Sequence, residues 1–111
     1  MPYFGRRGFA AVALALIVCV GGCSAFQAAR LYQRGSGALE RGEVERAVAD
    51  LERAATLAPH ASEIQNHLGL AYAASGREED ALRAFQRAVE LDCDNRQALR
   101  NLAAAERGTE P

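Results

Sequence analysis

The 111 residues carry 14 Asp and Glu against 13 basic side chains, all of them Arg, for a net charge of −1. That length holds one small domain, and the charge balance argues against a nucleic-acid face, which needs clustered excess positive charge. Half the residues are apolar, Ala, Arg, Glu and Leu dominate and Trp is missing, so helix is favoured throughout and no alternating Val/Ile/Thr run asks for a strand.

At the N-terminus, Arg6 and Arg7 precede an apolar run from Phe9 to Val20. A helix over that run rises about 18 Å, short of the roughly 30 Å hydrocarbon core. A basic start, a short apolar middle and small residues afterwards form the pattern of a secretory signal. Val20-Gly21-Gly22-Cys23 then resembles the lipobox of bacterial lipoproteins, with an aliphatic residue three before the Cys and small residues between. The resemblance implies cleavage before Cys23, a diacylglyceryl group on its thiol, and lipid attachment to the bacterial envelope, facing the periplasm. Cys19 fits less well, because Val18 is too large for the small-residue slot. Ser24 after the Cys points, by resemblance, to the outer membrane, and Arg6-Arg7-Gly8-Phe9 resembles the core of a twin-arginine signal. An uncleaved N-terminal helix and cleavage after Ala25 stay open as other readings. Residues 1–22 are therefore expected to be a signal peptide and 23–27 a lipidated start with a short tether.

Five helices are predicted next, over 28–41, 44–58, 61–75, 78–91 and 95–107, with a disordered tail at 108–111. Compared with itself at an offset of 34, the chain aligns Gly35 with Gly69, Gly42 with Gly76, Glu45 with Glu79 and Ala47 with Ala81. Leu51 aligns with Phe85, Arg53 with Arg87, Ala54 with Ala88 and Leu57 with Leu91. A fixed period in this range marks a repeat architecture. Leu68 and Tyr72 share one face of the first helix of the second unit. Gly69 leaves room for a partner helix, with Ala81 as the small residue facing it, and Gly76 ends the helix where positive φ is tolerated. Ala81, Leu82, Phe85, Ala88 and Val89 form the predicted buried stripe of the second helix. Asp92 to Asn95 end it and cap the next.

Gln65-x2-Leu68-Gly69-x2-Tyr72 followed by Ala81-x3-Phe85 resembles the tetratricopeptide repeat, with Cys93 in the slot for its proline. Leu31-x2-Arg34-Gly35-x2-Ala38, Ala47-x3-Leu51 and Pro59 form a degenerate first copy. The resemblance implies an all-α fold: a short α-solenoid of two helix–turn–helix units (28–61 and 62–95) and a capping helix (95–107) with Leu99 and Leu102 on one face. It also implies a concave face that binds extended or helical segments of proteins. On this chain that face is Tyr32, Ser36 and Leu39, then Glu63, Asn66, Leu70 and Ala73, then Gln97 and Arg100. Leu39 and Leu70 have packing against neighbouring helices as their alternative role. Tyr32 and Ser36 replace the Lys and Asn of the carboxylate-clamp variant, so a C-terminal carboxylate is not the expected ligand.

Nothing in the sequence assembles a nucleophile with a base, a glycine-rich phosphate loop or a zinc ligand set. The reading is a non-enzyme without cofactor or metal. His60 and His67 read as exposed or cap-like residues. Cys93 reads as a small buried residue in the proline slot or as a handle for an intermolecular disulfide. Glu43–Arg46 and Asp50–Arg53 are expected as ion pairs on solvated faces. The expected function is a membrane-anchored scaffold that binds an envelope protein or peptide and assembles a complex. The alternatives are a self-associating structural unit and an accessory subunit of an envelope enzyme or of a secretion or pilus machine. Two and a half units meet only narrowly the roughly three needed for independent stability, so self-association or a partner would complete the core.

Overall fold

The computed structural model describes the backbone of residues 5–108 and the side chains of 22–108. Every element among the described residues is an α-helix: α1 (Gly5–Glu40), α2 (Val44–Leu57), α3 (Ser62–Ala74), α4 (Glu78–Leu91) and α5 (Arg96–Gly108). The four later helices start and stop within two residues of the predicted bounds. The signal-peptide side chains, up to Gly21, lie outside the described residues; of the tail predicted at 108–111, Gly108 is the last residue of α5 and 109–111 lie outside the described residues. Residues 23–27, expected as a lipidated start with a short tether, are helix and run without a break into the first repeat helix. Ser24-Ala25-Phe26-Gln27-Ala28 contains no Gly or Pro to interrupt the i to i−4 ladder. Among the described residues, no helix is long and apolar enough to cross a membrane.

The period of 34 is written into the turns. Gly42 and Gly76 both take positive φ, at 77° and 78°, and each closes its helix in the same way. The Glu43 amide donates to the Ala38 carbonyl and the Arg77 amide to the Tyr72 carbonyl, both at 2.9 Å. These are the long-range bonds of a Schellman closure, which requires the left-handed residue that glycine supplies without strain. The connections between repeats match as well. Ala58 and Asp92 donate to Ala54 and Ala88, and Ala61 and Asn95 donate to Ala58 and Asp92. Asn95 goes further, capping α5 through its side-chain oxygen, which accepts from the Ala98 amide at 3.1 Å.

Within each unit the two helices meet where glycine removes a side chain. A Cβ on Gly69 would lie 2.5 Å from Cε1 of Phe85, and one on Gly35 would lie 2.7 Å from Cγ of Leu51. The side chain that fills the space at Gly69 is therefore the Phe85 ring and not Ala81. Phe85 and Leu51 are buried to 3 % and 0 % exposure, so the equivalence of Leu and Phe at offset 34 is an equivalence of core position. The buried stripe of α4 is Ala81, Ala84, Phe85 and Ala88; Leu82 and Val89, predicted to join it, are only half-buried. Ala38, Ala47, Val48, Leu51, Leu68 and Ala71 form a cluster across α1, α2 and α3. It joins the two units into one core.

The charged faces depart from prediction at one pair. Arg46 reaches Glu43 at 3.5 Å as expected, but Asp50 does not pair with Arg53. Asp50 is buried at 7 % exposure, turned toward α1, and its carboxylate lies 3.6 Å from the Arg34 guanidinium. Arg34, standing where the repeat pattern has an apolar residue, thus compensates a buried charge across the helix pair. At the start of α4, Asp80 accepts from Arg83 and Arg77, and these bonds hold its carboxyl below the usual carboxylate range. The Arg77 guanidinium also sits over the Tyr72 ring at 4.4 Å, tying the turn to α3.

Candidate functional site

The first helices of the units, α1 and α3, and the cap α5 lie side by side, and polar side chains bridge them. Tyr32 of α1 donates its hydroxyl hydrogen to Glu63 Oε1 of α3 at 2.8 Å. The Tyr32 ring meets His67 edge-on, with centroids 5.0 Å apart and planes at 88°. His67 Nδ1 lies 3.0 Å from the Glu63 carbonyl oxygen. A carbonyl can only accept, so Nδ1 carries the hydrogen; the same nitrogen is 3.4 Å from the Tyr32 oxygen. Burial first, and then the Glu63 carboxylate, push Tyr32 up to about 12. Each group of the trio is therefore engaged.

A second bridge joins α3 to α5. Asn101 Nδ2 donates to Oδ1 of Asn66 at 2.8 Å, and Asn66 is 1 % exposed. Nearby, Asn95 Nδ2 donates to Ser62 Oγ at 2.9 Å and that hydroxyl donates to the Ala88 carbonyl at 2.8 Å. One chain of bonds thus holds the start of α3, the end of α4 and the start of α5. Ser62, Glu63, Asn66, Asp92, Asn95 and Gln97 surround a polar hollow of about 290 Å³ beside it.

The apolar counterpart is a groove of about 310 Å³ between α3 and α5. Leu70 and Ala73 form one wall, Asn101, Ala104 and Ala105 the other, and Ala81 and Phe85 of α4 the floor, with Glu78 at the rim. The walls are mostly Ala, so backbone and Cβ atoms define its width. An apolar side chain or a helix edge fits such a slot, because it displaces poorly held water and leaves few polar groups unpaired.

The family model for the tetratricopeptide repeat matches residues 32–95, more than half of the chain. The chain belongs to the tetratricopeptide repeat family. A comparison with curated proteins found no match. The matched region runs from the Tyr32 bridge to the Asn95 cap. In general these repeats mediate protein–protein interaction, which makes a protein the partner class for this chain.

Against that frame, the residues assigned to the concave face divide by their contacts. Tyr32 and Glu63 meet directly, and Asn66 meets the cap through Asn101. Leu70 and Ala73 line the apolar groove, and Gln97 lines the polar hollow. Leu39 packs against the buried cluster of α1, α2 and α3, and Arg100 is exposed on α5. Ser36 has its hydroxyl oxygen buried without a hydrogen-bond partner.

Two expectations are corrected. His67 is half-buried against Tyr32 and not an exposed or cap-like residue, whereas His60 is exposed. Cys93 is exposed: the turn over 92–95 is closed by backbone bonds and by the Asp94 amide donating to Asp92 Oδ1, so no pocket forms around residue 93. On α5 the buried residue is Ala98, while Leu99 is 42 % exposed. Leu99 and Leu102 occupy the face that a second helix of the same unit would cover, and α5 has none after it among the described residues.

Asn101 went unread in the sequence, and the contact of His67 with Tyr32 was missed. Equivalent positions recur every 34 residues, but the bridging pairs are 31 and 35 apart: Tyr32 with Glu63, Tyr32 with His67, Asn66 with Asn101. Neighbouring first helices touch one residue ahead of the equivalent position and three behind it. Searching those two separations for polar pairs finds both residues.

Proposed function

We propose that the chain is a non-catalytic scaffold, lipid-anchored at Cys23 to the bacterial envelope and facing the periplasm, which holds an envelope protein by an apolar segment laid between α3 and α5. The observation that carries the binding part is the groove itself, an apolar slot floored by Phe85 and walled by Leu70, Ala73 and Ala104, beside which Asn101 and Asn66 are paired with each other. Such a slot selects an apolar, helical or extended segment rather than a charged terminus. Among the described residues no group of His, Cys, Asp and Glu comes together that could hold a metal ion.

Photo-crosslinking tests the binding. A crosslinker placed at Ala73 or at Ala104 should trap the same partner, and one at Gln86, exposed on α4, should not. Different products from the two groove positions, or equal yield from Gln86, would count against the slot. The anchor is tested separately by metabolic labelling with a fatty acid, which should disappear in Cys23→Ala. The outer membrane, read from Ser24, is tested by membrane fractionation.

A second reading has its own support. Leu99 is exposed on the open end of the solenoid, which favours stacking of copies through α5. Sedimentation of the chain and of Leu99→Arg separates the two, since stacking predicts a concentration-dependent species that the variant loses.

A further inference from the structure

At the opposite end of the solenoid lies a surface that the binding groove does not use. Cys23, Phe26, Gln27, Arg30 and Arg34 fall on one face of α1 at helical spacing, and Arg53 of α2 joins them around a hollow of about 450 Å³. Phe26 is 66 % exposed, and the Arg30 guanidinium lies over its ring at 5.9 Å. Arg34 is engaged by Asp50; among the described residues no ion pair reaches Arg30 or Arg53. Three guanidinium groups thus face one buried carboxylate in a chain whose overall balance is slightly acidic.

We propose that this flank docks on the anionic phospholipid surface of the bilayer that holds the N-terminus. The proposal rests on the lipid anchor at Cys23. Because α1 is helical through Cys23, no loose tether separates anchor from domain, and Arg30 follows the anchor by only about 10 Å of helix rise. Phosphates of the headgroup layer are then within reach of the arginine side chains. Guanidinium groups suit them, pairing with phosphate oxygens in a planar fork while their alkyl stems lie along Phe26 and Leu31. Phe26 supplies the aromatic ring that seats at the interface. Charge complementarity and continuity with the anchor favour a lipid surface over an acidic protein. The docked flank would set the orientation of the whole solenoid.

The test uses the full chain reconstituted in vesicles. The protein has no Trp, so Thr56→Trp, exposed on α2 beside Arg53, is a single fluorophore. It reaches headgroups only when the flank lies down. Vesicles of phosphatidylcholine alone and with added phosphatidylglycerol carry a headgroup-linked nitroxide quencher. Quenching should be strong in the anionic vesicles, weak in the neutral ones, and reversed by high salt. With each arginine contributing about fivefold near a charged leaflet, Arg30→Gln with Arg53→Gln should lower the docking equilibrium constant about 30-fold. Flotation reads the anchor independently. A chain that floats with both vesicles but shows no lipid contrast, or none on arginine removal, overturns the docking alone and leaves the arginines to a protein partner. A chain that floats with neither overturns the anchor and the docking together.

Discussion

Replacing Gly69 by Ala adds a single methyl group, and the structure dictates that this small change is harmful. The new Cβ would lie 2.5, 2.6 and 2.9 Å from Cε1, Cδ1 and Cζ of Phe85, where carbon atoms settle at about 3.5–4.0 Å. The ring is 3 % exposed and sits in the floor between α3 and α4, so it has no open space to enter. The helices must separate by about 1 Å, and overpacking of this kind costs about 1–3 kcal/mol. Removing glycine from a helix interior works in the other direction by about 0.5–1 kcal/mol. The net effect is a loss of about 1–2 kcal/mol, or roughly 5–10 °C in Tm for a domain this small. Gly37 is the internal control. Its Cβ would meet only the mobile end of Arg41, at 3.2 Å, so Gly37→Ala should be neutral or stabilising by up to about 1 kcal/mol. Thermal melts followed by circular dichroism measure both. Gly69→Ala melting at or above the wild-type temperature would refute the contact, as would an equal loss from Gly37→Ala.

Three further outcomes follow from the same packing. Phe85→Ala empties the floor of the groove and should cost about 3–5 kcal/mol, removing the cooperative transition in thermal melts. Asn101→Ala leaves the buried oxygen of Asn66 without its donor and should cost about 1–3 kcal/mol, read by chemical denaturation, while Gln97→Ala on the exposed side of α5 changes little. Tyr32 has its pKa raised, so its folded form keeps the proton longer than the unfolded chain: its stabilisation is full below pH 10 and is lost as pH rises to about 12. Absorbance titration of tyrosinate should show this late step, moved toward the ordinary value in Glu63→Gln and absent in Tyr32→Phe; an unshifted step in Glu63→Gln would contradict the bridge.

Much of this protein was legible in its residues alone. Gly42 and Gly76 had to end helices because only a residue without Cβ takes their φ cheaply, and Gly35 and Gly69 had to mark close approach. The recurrence of those glycines with Leu51, Phe85, Ala54 and Ala88 every 34 residues specified two hairpins and a cap, because each contact is local to one unit. The pairing of polar side chains across helices was a different matter. Whether Asp50 turned to Arg53 on its own helix or to Arg34 on α1 depended on how far the helices rotate against each other, as did the meeting of Tyr32 with His67 and of Asn66 with Asn101. Helix period names the residues on a face, but the stagger of neighbouring helices decides which of them touch. The burial of Phe85 was written in the sequence, whereas its place against Gly69, where Ala81 was expected, and the groove that it floors came into being only when α4 and α5 settled against α3.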